Sequence, residues 1–226
     1  MAAGDTQARP LRRDAVRNHQ LVMAAAREVL SEFGTDASME LIASRAGVGV
    51  GTVYRRFPNK QALVDEIAVE MLRELVVEAR NALRLPDGAG LDAFMRVIGR
   101  SLSTHRGYAH QLVGHSKTSC VEQLRDLITE LLGRAQQAGR VAREVELGDV
   151  MTLIWGLRGV VETSGAVAPD AWQRYLDIHL AGLRAPVAVS SGAAVTREQL
   201  GQVNGAGAGP RGAACGRDDA RGAAPR

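Results

Sequence analysis

Apolar residues recur along most of this chain at intervals of three and four, the period of a helix with one buried face. Val16, Met23, Ala26, Leu30 and Phe33 predict a first helix over about 14–33, ended by Gly34. A short helix follows from Ser38 to about Ala46: the Ser38 hydroxyl suits an N-cap, Glu40 lies toward the positive end of the helix dipole, and Gly47 can take the left-handed conformation that stops it. Within three residues the pattern resumes. Val50, Val53, Tyr54 and Phe57 place an apolar face inward, Gly51, Thr52, Arg55 and Arg56 face outward, and Pro58 ends the run. Asn59 can cap a fourth helix reaching about Leu83, with Leu63, Ile67, Met71 and Leu75 buried and Glu66, Glu70, Glu74 and Glu78 on a solvent face.

Pro86, Gly88 and Gly90 break the chain at residues 84–90. Beyond the break, Phe94, Val97, Ile98 and Leu102 predict one helix, residues 106–119 are irregular, and Val121, Leu124, Ile128, Leu131, Ala135 and Ala138 mark a long helix closed by Gly139. Val150, Leu153, Ile154, Leu157, Val160 and Val161, with Met151 and Trp155 alongside, make a helix apolar on more than one face, where Gly156 and Gly159 permit close approach. After Pro169, the residues Trp172, Tyr175, Leu176, His179, Leu180 and Leu183 form a final wide stripe. From residue 186 the chain turns to Ala, Gly and Ser with scattered charge and is expected to be disordered.

The expected fold class is therefore all-α. A short helix, a glycine turn and a second short helix with basic outer residues is the helix-turn-helix layout, whose second helix enters the DNA major groove. The block also resembles the DNA-binding domain of TetR-family transcriptional regulators. It carries Ala46, Gly47 and Val48, then Gly51, Thr52, Val53 and Tyr54, then Phe57, Lys60 and Leu63 at the family's spacing, and departs at Gly49, where a capping Ser or Thr is usual, and at Val50, where a polar residue is commoner. The body, through its stretches EVELGDVMTLIWGLRG and QRYLDIHLAGLRAP, resembles the C-terminal domain of SbtR-like members.

The resemblance implies an organisation and a mechanism. Residues 1–11 form a disordered arm, and Arg9, Arg12, Arg13 and Arg17 make it basic, either as a solvated surface or to reach phosphates or a minor groove; residues 12–60 form the DNA-binding head, residues 61–185 a ligand-binding and dimerisation body, and 186–226 the tail. The implied DNA-binding set is Ser38, Val50, Gly51, Thr52, Tyr54, Arg55 and Lys60. Within it, Val50, Gly51, Thr52 and Arg55 face the groove, while Tyr54, ring packed and hydroxyl outward, and Lys60 reach phosphates. Arg55 can read a guanine, because a guanidinium bonds O6 and N7 together. The implied partners are an operator duplex, a second copy of the chain meeting it through the last two helices as a four-helix bundle, and a small-molecule effector that favours the spacing of heads unable to hold DNA. Candidate effector-lining residues are Phe94, Ile98, His105, Tyr108, Met151, Trp155 and Arg158, each of which could equally be ordinary core. Arg158 stands out as a cation in an apolar helix; Glu162 one turn on could pair with it, and an acidic ligand could compete.

Composition adjusts this picture little. Aromatics make up 4% of the 226 residues, fitting helices better than strands. Residues 1–60 carry nine Lys/Arg against six Asp/Glu, a balance of +3, while residues 61–185 carry fourteen against sixteen, so positive charge sits with the head. No run of eighteen apolar residues exists and the N-terminus has no apolar signal core, so a cytoplasmic protein with no membrane partner is expected. Cys120 and Cys215 suggest no disulfide framework. His105, His110, His115 and Cys120 recur every five residues, but each step turns a helix by about 140°, so they diverge and no metal site is expected. No phosphate loop, dinucleotide fingerprint, nucleophile elbow or catalytic carboxylate pair is present, so no cofactor is implied. The competing reading is an all-helical small-molecule carrier or enzyme that no longer binds DNA.

Overall fold

The computed structural model describes residues 8–106, 119–184 and 192–206, and every regular element among them is helical. The head comprises α1 (Ala8–Phe33), a 3-10 turn (Gly34–Asp36), α2 (Met39–Ala46) and α3 (Val50–Arg56). Next comes α4 (Lys60–Ala82), followed by α5 (Gly90–Thr104), α6 (Ser119–Gln137), α7 (Leu147–Ser164), α8 (Ala171–Gly182) and α9 (Arg197–Ala206). None of these helices is long and apolar enough to cross a membrane.

Two cores share α4. Met23, Ala26, Val29 and Leu30 of α1 meet Ile42 of α2, Val53 of α3 and Phe57 just after it, and Leu63, Ile67 and Met71 on the first half of α4. The last turns of α4, through Ala79 and Ala82, belong instead to the body core with Leu91, Phe94, Ile98, Leu131, Leu157, Trp172 and Leu176. By packing, then, the head extends into residues that the sequence reading gave to the body. One continuous helix is a wall of both, so a tilt of α4 imposed by the body moves the head.

The acidic ladder of α4 is not a bare solvent face. Arg27 of α1 donates to Glu70 at 3.1 Å and Glu74 at 2.8 Å, His19 Nε2 lies 3.4 Å from Glu66, and Arg56 of α3 donates to Glu66 at 3.1 Å. The ladder receives cations from α1 and α3 because those helices cross α4 with their basic edges toward it.

Glycines allow close approaches in the body, and three of them involve α8 or the segment before α9. A Cβ on Gly99 would overlap the Trp172 ring, one on Gly156 would meet the Tyr175 hydroxyl, and one on Gly148 would strike the Val195 backbone. The first two seat α8 against α5 and α7; the third lets the segment before α9 cross the first turn of α7.

Several expectations need correction. Helix α1 begins at Ala8 rather than near Asp14, so residues 8–11 of the expected disordered arm are helical; uninterrupted helix formers after Pro10 extend it. Val16 and Phe33, at the ends of its expected stripe, are exposed, because the partners of α1 cover only its middle. The tail is not wholly without order. Helix α9 forms over Arg197–Ala206, opened by reciprocal hydrogen bonds between Thr196 and Gln199 (2.9 and 3.3 Å), and Leu200 is fully buried. One leucine in a docked helix suffices where composition suggested no core at all.

Candidate nucleic-acid interface and body cavity

The helix-turn-helix is set by local chemistry. Ser38 Oγ accepts from the Leu41 N–H at 3.1 Å, capping α2. Gly47 sits at φ +66° and its N–H donates to the carbonyls of Ala43 and Ser44, closing the helix in the conformation that only glycine takes without strain. Gly49 stands at the N-cap of α3 without a side-chain hydrogen bond, so its carbonyl alone, accepting from Thr52 N at 2.8 Å, starts the helix.

The short α3 docks through a narrow edge, with Val53 and Phe57 buried. Val50, 41% exposed, and Tyr54, 43% exposed, are not part of that edge, which corrects the periodicity reading that put both inward. In a helix of seven residues the inward arc holds only one residue per turn. The outer face therefore presents Val50, Gly51, Tyr54 and Arg55 together, the set the family motif assigns to DNA apart from Thr52, which is partly covered. A Cβ on Gly51 would meet nothing within 4 Å.

Polar contacts orient this face. Arg55 Nη2 donates to Thr52 Oγ1 at 2.9 Å, which fixes the guanidinium along the helix. The Tyr54 hydroxyl donates to Glu40 Oε1 over 3.4 Å, a long contact that turns it toward the start of α2. That carboxylate's charge, the largest influence, raises the phenol pKa, while Glu40's own backbone hydrogen bond, then Ser38, lower the Glu40 pKa. Lys60 Nζ donates to the Ala37 carbonyl at 3.2 Å, just before the Ser38 cap. Ser38 Oγ is thus engaged on both sides, accepting from Leu41 in the cap and donating to Glu40.

The body contains a cavity of about 130 Å³ between α4, α5, α6 and α7, lined by aliphatic side chains together with Ser101, Trp155, Arg125 and Arg158. Of the expected effector residues, Ile98, Met151, Trp155 and Arg158 line it. Phe94 does not; it is fully buried in the body core. His105 is one turn beyond the cavity wall, its Nδ1 2.8 Å from the Ser101 carbonyl, and burial lowers its pKa. Tyr108 lies outside the described residues, as do His110, His115 and Cys215. The expected Arg158–Glu162 pair is present at 3.5 Å, without the geometry of a hydrogen bond.

Sequence reading missed Arg125. It lines the cavity at 2% exposure, and Nη2 donates to the Leu200 carbonyl of α9 at 3.0 Å. The signal was available: Val121, Leu124, Arg125, Ile128, Leu131 and Leu132 continue one stripe with a cation in the middle.

Comparisons with known proteins agree with this geometry. Residues 22–67 match the family model of bacterial regulatory proteins of the tetR family, and residues 86–185 that of the SbtR-like transcriptional regulator C-terminal domain. The fold is similar to that of a TetR transcription regulatory protein from Mycobacterium vanbaalenii, at 33% identity and TM-score 0.57 over 78% of this chain and 100% of that one. A TetR transcriptional regulator from Streptomyces coelicolor is similar at 31% identity and TM-score 0.54, over 75% and 99%. The HTH-type transcriptional regulator YhgD of Bacillus subtilis (strain 168) is 40% identical over 65 residues, 28% of this chain and 34% of that protein, so the match spans about a third of that relative's length. With the helix-turn-helix at one end and an SbtR-like helical body at the other, the chain belongs to the TetR family of DNA-binding transcriptional regulators.

Proposed function

We propose that the chain is a homodimeric repressor that holds a palindromic operator and releases it when a small molecule enters the body cavity. The observation that carries the DNA half is the outer face of α3. Val50, Gly51, Tyr54 and Arg55 stand exposed on one side of a helix whose other side is locked into the head core, with Arg55 held in place by Thr52. Arg55 reads a guanine through its guanidinium fork, Thr52 and the exposed Val50 touch base edges or a thymine methyl, and Gly51 lets the backbone come close. Tyr54 and Lys60 take phosphates.

Release follows from α4. Leu72 and Leu75 on this helix line the cavity, and one turn earlier the same helix is part of the head core. A ligand that packs against those leucines prefers one tilt of α4, and hence one separation of the two heads in a dimer. The dimer reading is supported by α7 and α8. Gly159 faces open space, and Ile178 is 57% exposed on the side of α8 turned from the core, as expected of faces that pair with a symmetry mate.

The test is selection from a random duplex pool with the full chain and with Arg55→Ala, at two salt concentrations. Enrichment of a palindrome by the wild type, and a loss of specific binding in Arg55→Ala larger than its loss on random DNA, are expected. Failure of the folded protein to enrich any sequence would overturn the reading and bring the carrier alternative forward.

A further inference from the structure

The cavity's chemistry is unusual for its position. Its walls are apolar except at Ser101 and where Arg125 and Arg158 reach it, and Arg125 is buried almost completely. The three nitrogens of the Arg125 guanidinium are not treated alike. Nη1 pairs with Glu122, a carboxylate 51% exposed to solvent; Nη2 donates to the Leu200 carbonyl; Nε is buried with no hydrogen-bond partner. A buried donor left without a partner is costly, the more so on a charged group. Nε and Nη2 are adjacent on one edge of the planar guanidinium, an edge that two carboxylate oxygens match with parallel hydrogen bonds.

The helix bound to that edge is α9. Besides the Leu200 carbonyl, it is held by the buried Leu200 side chain, by Arg197 to Asp126 at 2.5 Å and Glu122 at 3.3 Å, and by the Val195 backbone crossing Gly148. The polar anchors are on α6 and the Val195 crossing is on α7, two helices that also wall the cavity. One side chain thus faces the cavity and tethers the tail.

We propose that the cavity takes an apolar monocarboxylate, its chain among Leu75, Ile98 and Met151 and its head group on the Nε–Nη2 edge of Arg125, and that α9 is released in part by its arrival. This rests on the effector reading of the cavity. One carboxylate oxygen satisfies Nε, and the other takes Nη2 and displaces the Leu200 carbonyl. Arg158, whose Nε is also without a hydrogen bond, adds a second positive charge at the same wall. A neutral amide offers one acceptor oxygen and no charge, so it matches only one of the two donors on that edge. A phosphate dianion, more strongly hydrated, loses more on entering walls this apolar.

The experiment uses the full chain, with octanoate and its neutral isostere octanamide as probes. Binding is followed by calorimetry and by Trp155 emission, and amide hydrogen exchange is read over residues 197–203. Octanoate is expected to bind about tenfold tighter than octanamide or more, to lose that advantage in Arg125→Gln, and to speed exchange in α9. Equal binding of the two probes by the wild type, which needs no variant to fold, overturns the carboxylate anchor while leaving the cavity an effector site. Selective octanoate binding with unchanged α9 exchange overturns the role of α9. Binding of neither probe means the cavity does not admit apolar ligands, and the effector reading falls with the inference.

Discussion

Head and body are both helical, and they are built to opposite ends. The head core is filled by apolar side chains from four helices, and cations such as Arg27 and Arg56 sit outside it, paired with the carboxylates of α4. The body holds a cavity, a buried guanidinium and helices that touch through glycines. A head in which Val53 and Phe57 anchor α3 can present that helix at a fixed angle; a body whose cavity is walled by a buried guanidinium can change when something fills it. The contrast teaches where each function resides. Reading DNA needs rigidity, and responding to a ligand needs an arrangement that is incomplete without it.

The sharpest way to break the contrast is to fill a body contact. Gly99→Ala places a methyl group into the Trp172 ring, and α5 and α8 must separate; a loss of about 1–3 kcal/mol is expected, near the upper end because a ring rather than a flexible side chain is in the way. Urea unfolding followed by circular dichroism checks it. An unchanged midpoint would mean that α8 is not seated where the structure puts it.

In the head the comparable glycine acts through its backbone and touches nothing. Gly47 has φ +66° and open space where a Cβ would stand, so Gly47→Ala is expected to cost about 1–2 kcal/mol from left-handed strain alone. Gly47→Asn should recover much of that, since Asn tolerates this region. Recovery by Asn at residue 47, and none by Asn at residue 99, measured by the same unfolding curves, separates strain from collision.

That difference explains how much was legible in the sequence. Ser38, Gly47, Asn59 and Pro58 act on neighbours within a few residues, so the turn, the caps and the limits of α2 and α3 could be read directly. The exposure of Val50 and Tyr54 could not be read from period alone, because a helix of two turns docks by an edge. In the body the deciding contacts join distant residues: Gly99 with Trp172, Gly148 with Val195, Arg125 with Leu200. No local pattern announces these pairings, which is why α9 was missed while the helices bearing the cavity were placed; Arg125 could be found as a cation in the stripe of α6, but its partner on α9 could not.

Gly51 turns the comparison toward function. Its Cβ position is open and its backbone is helical, so Gly51→Ala is expected to stabilise the head by about 0.5–1 kcal/mol. The same methyl group points away from the core, and operator affinity is expected to fall. Thermal unfolding and DNA titration of one variant check both signs. Raised stability with undiminished affinity would show that the α3 backbone does not approach the bases at this residue.

The smallest expected effect is a pH dependence where the two regions meet. His105, at the end of α5, has its pKa lowered chiefly by burial, with its bond to the Ser101 carbonyl opposing, and it feels Arg27 of α1 and Glu74 of α4. Unfolded, it titrates near the ordinary 6.5; folded, it titrates lower. Above 6.5 the imidazole is neutral in both states and stability is intact. As pH falls below that value the unfolded chain takes up the proton first, so stability declines until the folded value is passed. His105→Gln is expected to flatten this part of the stability profile relative to wild type, with the two curves parallel above it. Arg27→Gln should shrink the loss without moving its onset, by removing a cation that holds the folded value down. Parallel profiles for wild type and His105→Gln throughout would mean that the imidazole is solvated in the folded protein, and that the junction of head and body is more open than its packing indicates.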